Sequence, residues 1–320
     1  MDSNKIAIVQ HAPCLLDREA TLARVVELIS TAAREGAALI VFPEAFVPGY
    51  PSWIWRLRPG TDWDLSEALH LRLLENSVDL ENDDLKIVRL AARESGVTVV
   101  MGVNERDGSS SRSTLYNTVV VIDHEGLIIN QHRKLMPTNP ERMTWGSGDA
   151  SGLKVLDTPC GRLGTLLCWE NYMPLARYAL YAQGVEVYIA PTYDSGEGWI
   201  GTLQHIAREG GCWVLGAGVA LHNRDIPEDF PQKKTLFPDT EDWINPGDSV
   251  VIAPGGELTE GPVHEEQKLL YAQIDLQKIS AARRTLDVAG HYARPDIFRL
   301  QVNAQPQTSL AVDDIFGKSG

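Results

Sequence analysis

Short β-branched runs alternate with amphipathic stretches from the start of the chain. Ile6-Ala7-Ile8-Val9 predicts a strand, residues 18–33 carry a helical stripe of apolar positions, and Ala38-Leu39-Ile40-Val41-Phe42 predicts a second strand. A second unit repeats this β-α-β grammar. Leu85, Val88, Leu90, Ala91 and Ala92 mark a helix that stops at Gly96, before Val97-Thr98-Val99-Val100-Met101. Two hairpins follow in kind, one turning through Asp123-His124-Glu125-Gly126 and one through Pro254-Gly255-Gly256. Hairpins pair strands antiparallel whereas β-α-β crossovers pair them parallel, so the expected sheets are mixed.

The second half reads strand at 163–167, helix at 170–182, strand at 185–190, helix at 199–209 and strand at 212–219. No internal repeat and no Ser/Gly/Pro-rich linker divides the chain, which predicts one layered α/β domain over residues 1–298. Residues 299–320 turn polar and are expected to form a tail that is mobile or docked at an oligomer interface.

Composition narrows the function classes. With 320 residues, 43% of them hydrophobic, the chain buries a sizeable core without metal or disulfide support. Its 29 Lys and Arg against 43 Asp and Glu leave a net charge of −14, which argues against binding a phosphate backbone. Acidic stretches such as 79–84 and 239–242 read as solvated surface. Four cysteines without a CxxC pair point to a reducing compartment, with the cytoplasm as the expectation. No apolar run approaches the roughly 20 residues of a membrane span, and residues 6–9 are too short and wrongly flanked for a signal peptide. The eight histidines show no metal-ligand spacing, and Gly216-Ala217-Gly218 lacks the third glycine and the helix of a dinucleotide site. No metal and no organic cofactor is expected.

Candidate chemistry begins with Cys168, placed between an apolar strand and a helical pattern carrying Leu175, Tyr178, Ala179 and Ala182. A thiol at such a turn meets backbone N–H groups and a helix dipole, which would lower its pKa and favour the thiolate. The competing structural reading is a small buried hydrophobe. Glu44 follows Ile40-Val41-Phe42-Pro43, and Lys134 lies just past the run at 127–132. Singly, these would be a loop acid and a solvated lysine. Together, a carboxylate, an amine and a thiol past the ends of neighbouring strands would converge where α/β folds build sites.

Three segments carry a resemblance: 42–51 (FPEAFVPGYP), 132–138 (HRKLMPT) and 167–171 (LCWEN). They closely resemble, in order, the motif blocks of the nitrilase superfamily. Flanking segments around Trp53-Ile54-Trp55, Pro140-Glu141-Arg142, Met173-Pro174-Leu175, Ala190-Pro191-Thr192 and Gly290-His291-Tyr292 resemble its nitrilase branch, over about residues 5–298. The resemblance implies a four-layer α-β-β-α sandwich with mixed sheets, a catalytic triad of Glu44, Lys134 and Cys168, and Glu141 as a second acid. It implies attack of Cys168 on a nitrile with a buried Glu44 of raised pKa as base, and charge stabilisation by Lys134 and the N–H of Trp169. Trp169, Tyr193, Asp194 and Trp199 are candidates for an aromatic-lined substrate pocket, open to arylacetonitrile-type or aliphatic nitriles.

The same resemblance implies a homo-oligomer built from dimers that extend into spirals. Rival readings are an amidase or carbamoylase, an amide-forming nitrile hydrolase, and a catalytically silent assembly module. Cys14, Cys160 and Cys212 are read as structural, and His205 as a core or pocket histidine; a Cys168 pairing with His205 or His291 would leave the Glu and Lys motifs unexplained.

Overall fold

A computed structural model describes residues 4–108 and 111–307. In chain order its elements are β1 (Lys5–Gln10), α1 (Arg18–Arg34), β2 (Leu39–Val41), α2 (Trp63–Asn76), α3 (Lys86–Ser95), β3 (Thr98–Arg106), β4 (Leu115–Ile122) and β5 (Ile128–Arg133). They continue with β6 (Leu156–Thr158), β7 (Gly161–Thr165), α4 (Pro174–Ala182), β8 (Val187–Thr192), α5 (Glu197–Gly210), β9 (Trp213–Gly218) and β10 (Ala220–His222). Last come α6 (Lys233–Leu236), β11 (Trp243–Ile252), β12 (Leu258–His264), β13 (Lys268–Gln273) and α7 (Gln277–Thr285).

Two mixed sheets form the centre. One runs β13-β1-β2-β3-β4-β5, the other β10-β11-β9-β8-β7-β6 with β12 paired to β11. The segments β1-β2-β3 and β7-β8-β9 are parallel, while β3-β4-β5 and β9-β11-β12 are antiparallel.

The period-two alternation of side chains explains the layers. Ile6, Ile8, Leu39, Val41, Val100, Val119 and Val121 face Leu163, Val187, Ile189, Leu215 and Val251 in a core between the sheets. Their neighbours Ala7, Val9, Ile40, Val99 and Met101 point the other way, against Leu22, Val25 and Ile29 of α1 and Val88 and Ala92 of α3. On the far side Tyr188, Ala190, Val214 and Ile252 meet Ala179 and Leu180 of α4 and Leu203, Ile206 and Ala207 of α5. Strands buried on both faces read as continuous apolar runs, and the result is an α-β-β-α sandwich.

Local signals set the element ends. Asp17 caps α1 by accepting the Ala20 N–H at 2.9 Å, and Gly96 closes α3 in the left-handed region at φ +64. The helix expected over 170–182 begins instead at Pro174. Proline fits the first helical position, and it holds the preceding Met173 extended at φ −88, ψ 101. Residues Cys168–Tyr172 therefore wind as a separate 3-10 turn. Helices α2 and α7 and strands β6, β10 and β13 join the expected elements.

Of the tail, residues 301–307 are exposed coil, and the Gln307 N–H donates to Asp149 Oδ2 at 2.8 Å. Residues 308–320 lie outside the described part of the chain. Among the described residues no helix is long and apolar enough to cross a membrane.

Candidate active site

Glu44, Lys134 and Cys168 each sit just past a strand end: Glu44 after β2, Lys134 directly after β5, Cys168 after β7. The first two strands belong to one sheet and the third to the other, so the site lies across the sandwich. Gly102 on β3 makes room for the Glu44 loop. A Cβ there would stand 2.5 Å from the Ala45 amide nitrogen and 2.8 Å from the Glu44 carbonyl carbon. Ala45 and Cys168 both adopt left-handed backbone, at φ +48 and +46. Such non-glycine conformations cost on the order of 1–3 kcal/mol and persist where the surroundings fix them. Around Cys168 that fixation is visible: Asn171 Nδ2 donates to the Cys168 carbonyl at 2.7 Å and to the Leu166 carbonyl at 3.0 Å.

A chain of buried polar groups joins the side chains. Lys134 Nζ donates to Glu44 Oε1 and to Glu141 Oε2, each at 2.8 Å, with all three side chains essentially inaccessible. Asn117 Nδ2 donates to Glu44 Oε1 at 2.7 Å, and the Tyr193 N–H to Glu44 Oε2 at 2.8 Å. Glu141 lies in a 3-10 turn, Asn139–Met143, and accepts the Thr138 N–H at 2.6 Å and the Tyr50 hydroxyl at 2.8 Å. Trp55 Nε1 in turn donates to the Tyr50 hydroxyl at 3.0 Å. The Cys168 thiol is in hydrogen-bond contact with Thr192, whose hydroxyl accepts the Asp194 N–H at 2.8 Å.

Electrostatics follow from burial and from two acids flanking one ammonium. Burial raises the Glu44 pKa above its usual 4.5; the Lys134 charge opposes the rise and Glu141 adds to it. Lys134 is held charged well beyond the ordinary lysine range, because Glu44, Cys168 and Glu141 together outweigh its own desolvation. Cys168 differs from the sequence expectation: burial, and then the charge of Glu44, push its pKa up rather than down, with Lys134 only partly offsetting them. A strand-to-helix turn sets only the local backbone around the thiol; its burial dominates, and the acid supplied by the opposite sheet adds to it. With its pKa raised, the thiol is neutral at rest.

Glu141 and Cys168 line a cavity of about 120 Å³ together with Tyr50, Trp55, Thr138, Trp169, Tyr193 and Asp194. The Tyr50 and Tyr193 rings stack with centroids 3.8 Å apart and planes 7° off parallel. Trp169 is 49% exposed at the mouth, and its indole N–H donates to Asp194 Oδ2 at 2.8 Å.

Trp199 does not line this cavity. It lies on α5 with 2% exposure, within the α4/α5 core and edge-on to Tyr172. His205 is neither core nor pocket but exposed on α5, 3.6 Å from Glu209. Cys160 and Cys212 are buried with pKa values pushed up to about 11 and about 12, and Cys14 is half-buried. Sequence reasoning missed Tyr50, Trp55, Thr138 and Asn117. Tyr50, Trp55 and Thr138 lie in or beside the segments around Glu44 and Lys134, whereas Asn117, within β4, carries no comparable signal. Among the described residues no group of three or more His, Cys, Asp or Glu side chains is arranged to hold a metal ion.

Comparison with known proteins agrees with this geometry. The sequence model of the family described as Carbon-nitrogen hydrolase matches residues 5–284. An aliphatic nitrilase of Sinorhizobium fredii is 38% identical, over 97% of this chain and 99% of its own. A bifunctional nitrilase/nitrile hydratase of Nicotiana tabacum is 40% identical, over 93% of this chain and 85% of its own. The crystal structure of a carbon-nitrogen hydrolase from Helicobacter pylori shares the fold with a TM-score of 0.69 at 21% identity, covering 91% of this chain and 96% of that one. With matched sequence running from β1 into α7, this chain belongs to the carbon-nitrogen hydrolase family, in its nitrilase branch.

Proposed function

We propose that the protein hydrolyses a short organic nitrile to the carboxylic acid and ammonia, with Cys168 as nucleophile, Glu44 as general base and acid, Lys134 as charge stabiliser and Glu141 as the acid that orients Lys134. One observation carries this reading: an ammonium clamped at 2.8 Å by two buried carboxylates, one of which, Glu141, lines the same cavity as the buried Cys168 thiol. The similarity to curated nitrilases supports the choice of a nitrile.

Glu44 takes the Sγ proton as sulfur bonds to the nitrile carbon, and passes it to the nitrogen to give a thioimidate. A water then loses a proton to Glu44 and adds to the carbon. Glu44 returns that proton to nitrogen, leaving an NH2 and a hydroxyl on the tetrahedral carbon; Glu44 then carries the hydroxyl proton to the same nitrogen as the C–N bond breaks and the C=O bond forms, and ammonia leaves a thioester. A second water repeats the addition, the C–S bond breaks, sulfur regains its proton and the acid departs. Negative charge on the substrate nitrogen and later oxygen is met by Lys134 Nζ and the Trp169 N–H. A neutral resting thiol suits this scheme, since deprotonation accompanies attack.

The cavity volume bears on the substrate. About 120 Å³ is less than the roughly 150 Å³ that accommodates benzene in an engineered cavity. That volume favours aliphatic nitriles over arylacetonitriles. Breaking the C–S bond before the C–N bond would instead release the amide, a reading favoured by the bifunctional name of the Nicotiana relative. A panel of nitriles, each run beside its matching amide with acid, amide and ammonia quantified, decides: equimolar ammonia and acid support the nitrilase reading, amide without ammonia supports the second, and turnover of amides alone overturns both.

The exposed apolar side chains Leu175 (68%), Tyr292, Ile297 and Phe298 (77%) support a homo-oligomer assembled from dimers. Sedimentation of the wild type and of a Leu175→Lys, Phe298→Lys variant tests it. A reducing, cytoplasmic setting suits the requirement for Cys168 as a free thiol.

A further inference from the structure

Next to the reacting groups in the chain lies a third buried acid, one that the scheme above does not use. Glu170 follows the nucleophile by two residues in the 3-10 turn, and its side chain is fully buried. Its Oε2 accepts the Leu167 N–H at 2.6 Å, and its Oε1 accepts the Leu135 N–H at 2.6 Å. Leu167 directly precedes Cys168 and Leu135 directly follows Lys134. One carboxylate thus ties together the backbone beside the thiol, which comes from one sheet, and the backbone beside the ammonium, which comes from the other. Nε2 of His132, also buried, stands 3.1 and 3.2 Å from the two oxygens. His132 is on β5, two residues before Lys134, so the imidazole backs the carboxylate from the same strand end.

We propose that Glu170 is a positioning residue of the reaction: by bridging the N–H groups of Leu135 and Leu167, braced by His132, it fixes the nucleophile of one sheet against the ammonium of the other. The inference rests on the reading of Cys168 and Lys134 as reacting groups. A carboxylate is the side chain this job requires. It has two acceptor oxygens and no donor, so it meets two N–H groups and an imidazole N–H at once, whereas an amide offers one oxygen and turns its NH2 toward a donor. The bonds from His132, Leu135 and Leu167 hold the group ionised below the usual glutamate range despite its burial. The acid and its charge are therefore maintained while Glu44, whose pKa is shifted the other way, exchanges protons.

Displacing a reacting atom by about 1 Å costs on the order of a hundredfold in rate, which sets the scale of the test. Glu170→Gln is compared with His132→Gln, which leaves both backbone bonds to Glu170 in place, and with the shorter Glu170→Asp. Each is assayed for kcat and KM on the best nitrile, for the rate of Cys168 alkylation by iodoacetamide followed by peptide mass spectrometry, and for folded fraction by circular dichroism. Glu170→Gln is expected to lower kcat about a hundredfold with KM within about threefold, and to slow Cys168 alkylation by about tenfold or more in protein that remains folded. Glu170→Asp is expected to fall between, and His132→Gln to lose less than Glu170→Gln. Wild-type kcat and alkylation rate in folded Glu170→Gln overturn the proposal, as does a loss accounted for wholly by unfolded protein. Should Glu170→Gln fail to fold, the decision passes to Glu170→Asp, where unchanged kcat and alkylation in folded protein overturn it. If the wild type turns over no nitrile, the functional reading fails, and alkylation alone still decides whether Glu170 positions the thiol.

Discussion

Lys134 Nζ lies 2.8 Å from Glu44 Oε1, in an ion pair that no solvent reaches. Removing one member of a buried pair leaves the other desolvated and unpaired, which costs about 3–5 kcal/mol. Here Lys134→Ala strands two carboxylates, Glu44 and Glu141. Burial already raises the Glu44 pKa, and losing the Lys134 charge raises it further, so Glu44 holds a proton more tightly in the folded than in the unfolded chain and lowering the pH relieves the strain. Urea unfolding is expected to show a larger loss of stability for Lys134→Ala at pH 8 than at pH 5, and an equal loss at both contradicts the picture of a charge-compensated cluster.

Cys168→Ala removes the only atom proposed to bond to substrate, from a site whose surrounding hydrogen bonds go to backbone and other side chains. It is expected to abolish nitrile turnover while shifting the thermal midpoint by only a few degrees. Glu44→Gln keeps the shape of the side chain but removes its basicity, and is expected to reduce kcat by about a thousandfold or more. Hydrolysis by Cys168→Ala at the wild-type rate would falsify the nucleophile assignment.

The raised pKa of Glu44 makes a signed statement about pH. As a base Glu44 must be ionised, so kcat/KM is expected to fall on the acid side through a pKa above 4.5, the ordinary glutamate value. Repulsion from Glu141 is one cause of that rise. Glu141→Gln removes the repulsion, and the acid limb of the profile should move to lower pH along with any fall in kcat. A limb that stays fixed in Glu141→Gln would show that the titrating group is not Glu44.

Much of the fold was legible because strands buried on both faces read as β-branched runs and helices covering them carry a 3.6-residue stripe. α1 starts at the expected Arg18 because Asp17 supplies a local cap. The start of α4 is less legible, because residues 175–182 carry the stripe while Pro174 sets the start. At the site, Glu44, Lys134 and Cys168 stood out by their places after apolar runs. The contact between Tyr50 and Glu141, 91 residues apart, belongs to the tertiary structure. So does the direction of the thiol pKa, since it is set by burial and then by the charge of Glu44, which comes from another strand. Trp199 shows the same limit: indole chemistry is equal on both faces of α5, and only packing sends it into the core.

Asp194 and Trp169 both line the cavity, and the indole N–H donates to Asp194 Oδ2 at 2.8 Å. Asp194→Ala frees the ring, and Trp169→Ala removes it. Trp169→Ala is expected to raise kcat/KM for an arylacetonitrile relative to a short aliphatic nitrile by about tenfold, a change within reach of one altered apolar contact surface. Asp194→Ala should shift the same ratio in the same direction by less. A ratio unmoved in both variants would place the size limit elsewhere in the pocket.

Gly102 connects a backbone position to the chemistry without touching substrate. It lies on the central strand β3, where Phe42 continues the β2 backbone by donating its N–H to the Val100 carbonyl at 2.8 Å. The loop then turns over Gly102, and an added methyl would meet backbone atoms of Glu44 and Ala45 at 2.8 and 2.5 Å rather than the end of a movable side chain. Because both walls are backbone, Gly102→Ala must push the loop outward, at a cost of about 1–3 kcal/mol for an overpacked interior. The displaced segment carries Glu44, whose carboxylate is tied at three points: to Lys134, to Asn117 and to the Tyr193 N–H. Gly102→Ala is therefore expected to lower kcat by about a hundredfold in protein that still folds, a far larger effect than an alanine elsewhere on β3 would have. Stopped assays on the folded fraction, isolated by size exclusion, check it. Full activity there would mean that the Glu44 loop has slack that the close approach of Gly102 denies.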